Sequence, residues 1–402
     1  MNRPINRRGV PAGAQGNTRV IAAGIGSTDN WGNRTHRDGK MESRHTNSLA
    51  DLCRRCLSEV NDEQRRRAKF EQIELGDRFF ELLEKSALVT DQAVLAEIKD
   101  TLAAANGRRP AALLNDFVDR RVLSRWQIKM LSRGRYKNFH VGHYRLSDHL
   151  GTGLSTAVYQ AEHTLFGAER AVKCITPFRF DGPVPREWFR VATGGHPNVV
   201  EIFDLVSENG LHFIVREQVA GCTLYEIATR LHPVAFGGVA EIVRQVAISV
   251  ASVHRAGQVL RSILPTDIML DMQGKVTILS PCTSWAVYAN GFEPPSFPGG
   301  PSVCRHFFRR RPIRSWSDAS PDDDIFGIGC LIYFLLTAEG PPLVFRPGGA
   351  RALLKILRPD APAGLVDIAE RAIAAGTSEP TMSAAEIVGG LSEIVNCVAR
   401  EP

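Results

Sequence analysis

Disulfide-forming cysteine and long apolar runs are what this 402-residue chain has least of. Eight cysteines, at positions 53, 56, 174, 222, 282, 304, 330 and 397, are too sparse at this length for a disulfide scaffold, so a reducing cytoplasm is the expected compartment. Cys53 and Cys56 form a single CxxC pair. No second pair or nearby His cluster completes a zinc site, and two ordinary helical positions are the preferred reading. No run of about 18 apolar residues occurs, and the opening MNRPINRRGV lacks the apolar segment of a signal peptide. A soluble, cytoplasmic protein with no membrane contact is therefore expected. A dense block of one charge is absent too: the net charge of +6 comes from arginine spread along the chain, and no nucleic-acid partner is expected.

What is present divides into three textures. Residues 1–45 are rich in Gly, Asn, Arg, Thr and Ser without apolar periodicity, so they bury too little surface to offset ordering entropy and are expected to be a disordered tail. From 46 to 138 the pattern turns helical. Leu49, Leu52, Cys53, Cys56, Leu57 and Val60 recur at intervals of 3 and 4, and Phe79, Phe80, Leu82 and Leu83 start a second apolar face. A weak repeat appears at an offset of 34, where Leu83, Leu88, Val89, Thr90 and Val94 match Phe117, Val122, Leu123, Ser124 and Ile128. Each copy reads as helix, turn, capped helix, with Thr90 and Ser124 as the hydroxyl caps. The segment is expected to be a small helical bundle, either a docking or dimerisation module or simply packed.

Beyond Tyr144 short β-like runs punctuated by glycine give way, after about residue 222, to longer helical runs. Strands first and helices second predicts an α+β domain over 144–398, with a β-rich lobe at 144–220 and a helical lobe at 221–398.

The segment Leu150-Gly151-Thr152-Gly153-Leu154-Ser155-Thr156-Ala157-Val158, followed by Ala171-Val172-Lys173, resembles the glycine-rich loop and strand lysine of protein kinases. Glycine lets backbone N–H groups approach phosphate oxygens without a Cβ in the way. The resemblance implies that Gly151 and Gly153 cradle phosphates, Val158 packs on adenine and Lys173 holds phosphates by charge. Glu187, ahead of His196-Pro197-Asn198-Val199-Val200, would pair with Lys173, although Pro183 and Pro185 shorten the helix that should carry it. The run from Phe213 to Leu224 resembles the fifth strand and hinge. There Glu217 to Val219 would offer adenine backbone hydrogen bonds, and Arg216 falls at the back of the pocket, where it must be paired and could draw Glu187 away from Lys173.

The stretch His254 to Asp271 resembles the kinase catalytic loop in frame but not in chemistry. Ser262 replaces the catalytic aspartate, Leu264 the lysine that steadies the γ-phosphate, and Asp267 the metal-binding asparagine. Further on, Ser280-Pro281-Cys282 replaces the Asp-Phe-Gly magnesium motif. A neutral hydroxyl cannot balance Mg²⁺ as a carboxylate does. Pro321 to Thr337 resembles the helix that anchors the helical lobe, with Ser320 as N-cap and Asp324 tying the catalytic loop to it. No Ala-Pro-Glu is found, Glu379 stands where that motif's arginine partner is expected, and Arg305 to Arg311 forms a basic, aromatic cluster. That cluster is read first as a solvated loop and otherwise as a docking patch for an acidic partner.

The chain is thus identified as a degenerate member of the eukaryotic-type serine/threonine protein kinases. Its segment 122–144 also resembles the N-terminal extension of the planctomycete type. The resemblance implies a two-lobed pseudokinase acting as a signalling scaffold with a protein partner, and the catalytic residues are none intact. No cofactor is required, ATP is allowed as a metal-independent ligand, and magnesium is not expected. The alternative is an unorthodox ATP-dependent serine/threonine kinase.

Overall fold

Side chains of a strand alternate between two faces, and cross-strand partners share a face, so the register of a sheet decides which residues meet. The computed structural model describes residues 48–67, 77–104, 111–153, 156–175, 191, 194–261, 263–279, 307, 319–342, 349–374 and 382–398, and all belong to one compact unit. The expected tail at 1–45 lies outside them.

The first lobe is an antiparallel sheet in the order β1-β2-β3-β4-β6-β5. Its strands are β1 (His140–Val141), β2 (Tyr144–Gly153), β3 (Thr156–His163), β4 (Glu169–Ile175), β5 (Ile202–Glu208) and β6 (Leu211–Arg216). Glu208 pairs with Leu211 across a two-residue turn, Asn209-Gly210, whose φ values of 53° and 74° suit the right-handed twist of the hairpin. One face of the sheet carries Val141, Tyr144, Leu146, Val172, Cys174, Phe213 and Val215 as a small apolar core. The alternate positions, Lys173, Ile214 and Arg216, occupy the opposite face.

Among the described residues the second lobe holds a small sheet, β7 (Cys222–Thr223), β8 (Ile268–Leu270) and β9 (Val276–Ile278), and six helices. They are α6 (Leu224–Arg230), α7 (Phe236–Arg255), α8 (Pro321–Thr337), α9 (Gly349–Leu357), α10 (Ala363–Ile373) and α11 (Ala384–Val398), numbered after the five N-terminal helices introduced below. Thr223 caps α6 with Glu226 in a reciprocal capping box. Ser320 caps α8, as expected, and its N–H donates to the Asp323 carboxylate at 2.8 Å. By length and composition α7 could cross a bilayer, but Val239, Ile242, Val243, Val246 and Val250 are core here. Backbone bonds from Val200 N–H to the Ile278 carbonyl and from Ile278 N–H to the Asn198 carbonyl stitch the two lobes together.

The single bundle expected at 46–138 is not what forms. Helix α1 (Leu49–Arg67) buries Leu49, Leu52, Cys53 and Cys56 in the core of the second lobe, and the Cys53 thiol donates to the Leu270 carbonyl at 3.1 Å. Helices α2 (Asp77–Ser86), α3 (Gln92–Ala104), α4 (Ala111–Asp119) and α5 (Arg125–Ser132) enclose a separate core that includes Phe79, Leu83, Ile98, Phe117, Leu123 and Ile128. Periodicity reveals an apolar stripe but not which surface covers it, and that is why α1 was misassigned. The 34-residue offset has one backbone counterpart. Ala87 and Arg121, 34 apart, are both left-handed at φ 53° and 57°, each just past the first helix of its copy. Ser124 forms the expected capping box with Gln127, but in the first copy the cap is Asp91, which accepts from Ala93 and Val94 N–H, and not Thr90.

Helix α5 also fastens this module to the sheet. Gln127 Nε2 donates to the Leu146 carbonyl at 2.7 Å, Ser124 Oγ donates to the Ser147 carbonyl, and Trp126 packs on Tyr159 and Phe139. The N-terminal helices thus grip both lobes, α1 the helical one and α5 the sheet. Within the cluster Arg305 to Arg311, expected to be solvated or docking, Phe307 is buried against Phe334. The other residues of that cluster and Glu379 lie outside the described residues.

Candidate functional site

A transverse row crosses the sheet: Gly151 pairs with Val158, Val158 with Lys173, and Lys173 with Ile214. Pairing makes these positions neighbours on one face, so the glycine loop, Val158 and the lysine gather there as expected. An added Cβ at Gly151 meets nothing within 4 Å, so there is open space beside the strand at that position. Gly153 closes the hairpin opposite Thr156. Two residues along β4 from Lys173 is Ala171, and its partner is Arg216, which brings the guanidinium to the same face. Glu187, expected as the partner of Lys173, lies outside the described residues, as do Ser262 and Ser280.

One partner of Lys173 is Asp267, with Nζ to Oδ1 at 3.5 Å. Lys173 is only 3% exposed, and burial lowers its pKa below the usual lysine value. Asp267 works against that shift, and the nearby Arg216 charge adds to it. The carboxylate at the expected metal position therefore has a cation of the protein beside it. Arg216, 5% exposed, donates from Nη1 to the Glu217 carbonyl at 2.8 Å. That carbonyl is among those the resemblance offers to adenine, and Glu187, the partner expected for Arg216, lies outside the described residues. Burial draws the guanidinium down to about 10, opposed by the charges of Asp267 and Glu217. It is still protonated at neutral pH.

The hinge ends where Gly221 meets β8. A Cβ there would lie 2.2 Å from the Leu270 carbonyl oxygen, so only glycine permits the approach. Past it, Cys222 pairs with Leu270 and packs by the Cys53 backbone. Three free thiols, Cys53, Cys56 and Cys222, are buried at the junction of α1 with the hinge end. The spacing of two of them was visible in sequence, and the third was not.

Below the cleft the catalytic-loop frame is intact. Asp324, fully buried in α8, accepts from Leu260 N–H at 2.8 Å, from Arg261 N–H at 2.7 Å, and from His254 Nε2 at 2.9 Å. Those bonds hold Arg261 at φ 67°, a left-handed conformation that costs a non-glycine residue about 1–2 kcal/mol. Leu264, at the expected lysine position, is buried in the core and offers no charge to a phosphate.

The model of the protein kinase domain matches residues 144–346, half of the chain. The chain belongs to the protein kinase family. This kinase-family chain is similar to the serine/threonine-protein kinase PrkC of Bacillus subtilis, 28% identical over 208 residues, or 50% of this chain and 31% of that protein. It is also similar to the probable serine/threonine-protein kinase PknB of Lactococcus lactis, 26% identical over 204 residues, 49% of this chain and 32% of the relative. A third relative, the probable serine/threonine-protein kinase SCO3848 of Streptomyces coelicolor, is 27% identical over 212 residues, 50% of this chain and 31% of its own length. The matched region spans about a third of the length of each of these relatives.

Proposed function

We propose that this member of the kinase family transfers no phosphate and acts as a cytoplasmic interaction or scaffold protein, a pseudokinase that works through a protein partner. The observation that carries the reading is the Lys173–Asp267 pair. In a protein kinase the strand lysine serves phosphates and the loop residue serves magnesium. Here the two are in contact with each other.

The sequence supports the same conclusion from the missing acids. Ser262 provides no carboxylate to accept a hydroxyl proton, a loss of about 10² to 10⁴ in rate. Ser280 provides none to hold magnesium, which removes several kcal/mol of charge stabilisation at the transferring phosphoryl group. From a typical kinase turnover of about 1–100 per second, the two losses together bring transfer near or below detection. Asp324 meanwhile still anchors a loop that carries Ser262 where the catalytic acid is expected. Selection for a fold used as a binding surface accounts for that combination, because the anchor serves shape and the acids serve only reaction.

The test is transfer of radiolabelled phosphate from Mg-ATP to the chain itself and to a generic basic protein. No incorporation is expected. Ser262→Asp alone should also be silent, because the metal is still unheld. Turnover by the wild type or by that single variant would establish the enzyme instead.

A further inference from the structure

A guanidinium presents five N–H donors in one plane and keeps its charge when buried, so it must find acceptors. Arg216 ends β6 on the sheet face shared by Val158 and Lys173, which is the face of the cleft. Its Nη1 donates to the Glu217 carbonyl at 2.8 Å, while its Nε has no partner among the described residues. Asp267 and Glu217 supply the opposing charge. A planar donor thus already sits within hydrogen-bonding distance of a hinge carbonyl that the kinase resemblance offers to adenine.

We propose that Arg216 is the internal occupant of the purine end of this cleft, standing in for the adenine amino group and making the site selective against adenine nucleosides and nucleotides. The argument is one of shared space. A donor to the Glu217 carbonyl must lie about 3 Å from it, and the guanidinium holds that shell on the same face where the ring would lie. The carbonyl has a second lone pair, so the exclusion rests on the bulk and charge of the guanidinium beside it rather than on loss of the acceptor. Displacement would strip Arg216 of its carbonyl and of its approach to Asp267, and Nε is already short of an acceptor. At the other end of the cleft Lys173 and Asp267 are likewise paired with each other. The inference rests on the kinase-fold reading of the cleft and is independent of whether phosphate is transferred.

Isothermal titration calorimetry on the full chain tests it, with adenosine as the probe of the purine end and ATP, with and without Mg²⁺, as the probe of the whole cleft. The wild type should show no saturable binding of either up to about 1 mM. Arg216→Leu and Arg216→Met, which remove the donors and open an apolar pocket, should bind adenosine at least about tenfold more tightly than that limit. Wild-type binding of adenosine with a Kd below about 100 µM overturns the proposal, and this arm needs no variant. A variant that melts cooperatively yet gains no affinity also overturns it. ATP binding by the wild type without transfer sinks this inference alone. Transfer by the wild type sinks the silent-scaffold reading as well, and gained binding without transfer supports both.

Discussion

Replacing Asp267 by asparagine removes the charge that faces Lys173 while leaving the side-chain volume almost unchanged. At 3.5 Å and an effective dielectric of about 20, the pair attracts by about 5 kcal/mol before desolvation is counted. Removing one partner of a buried pair costs about 3–5 kcal/mol, and the 18% exposure of the Asp267 side chain argues for about 3. The loss should depend on pH with a definite sign. Burial and the Arg216 charge lower the folded pKa of Lys173 from 10.5, and Asp267 is what holds it up, so the substitution lowers it further. Between the folded value and 10.5 the native state binds fewer protons than the unfolded chain, so stability rises with pH there. In Asp267→Asn that relief starts at a lower pH, so the penalty is largest below the variant's lysine pKa and shrinks as the pH rises through it. Urea melts followed by circular dichroism at steps from pH 7 to pH 10 measure this. A double variant, Lys173→Met with Asp267→Leu, should be milder than the single one, because the buried lysine charge is no longer stranded and only Arg216 loses its counter-charge. A single-variant loss below about 1 kcal/mol at pH 7, or one that grows with pH, would refute the charge argument.

Two further outcomes follow from the anchors of the fold. Asp324→Asn replaces one carboxylate oxygen by an amide donor, which then faces the N–H of either Leu260 or Arg261, so one of those amides should lose protection in hydrogen exchange and the protein about 3 kcal/mol of stability; unchanged protection of both would show that the loop holds itself. In the wild type a maleimide should label the exposed Cys397 and spare Cys53, Cys56 and Cys222, whereas Leu52→Asp, by forcing a charge against the helical lobe, should open Cys222 to label. Equal labelling of Cys222 in both proteins would mean that α1 does not cover it.

The kinase frame was legible because it is local. Gly151, Gly153, Val158 and Lys173 fall into step through hairpin register, and strands alternate with a period that sequence displays directly. Asp324 and Ser320 were legible for a similar reason, since a helix start writes its cap into adjacent residues. Thr90 misled because Asp91, one residue on, has an equally good capping oxygen, and only backbone geometry chooses between them. The fate of α1 was hidden altogether: Leu52 and Cys53 announce a buried stripe, but its cover, the surface around Leu270, is more than 200 residues away.

The amino-acid sequence alone determined the two-lobed architecture and the absence of carboxylates at positions 262 and 280, because each is written in residue type and spacing. Only the tertiary structure decided what the remaining charges do. Lys173 and Asp267 meet, and Arg216 turns to the Glu217 carbonyl, because burial makes an unmatched charge too costly and each cation takes the acceptor that the folded chain brings within reach.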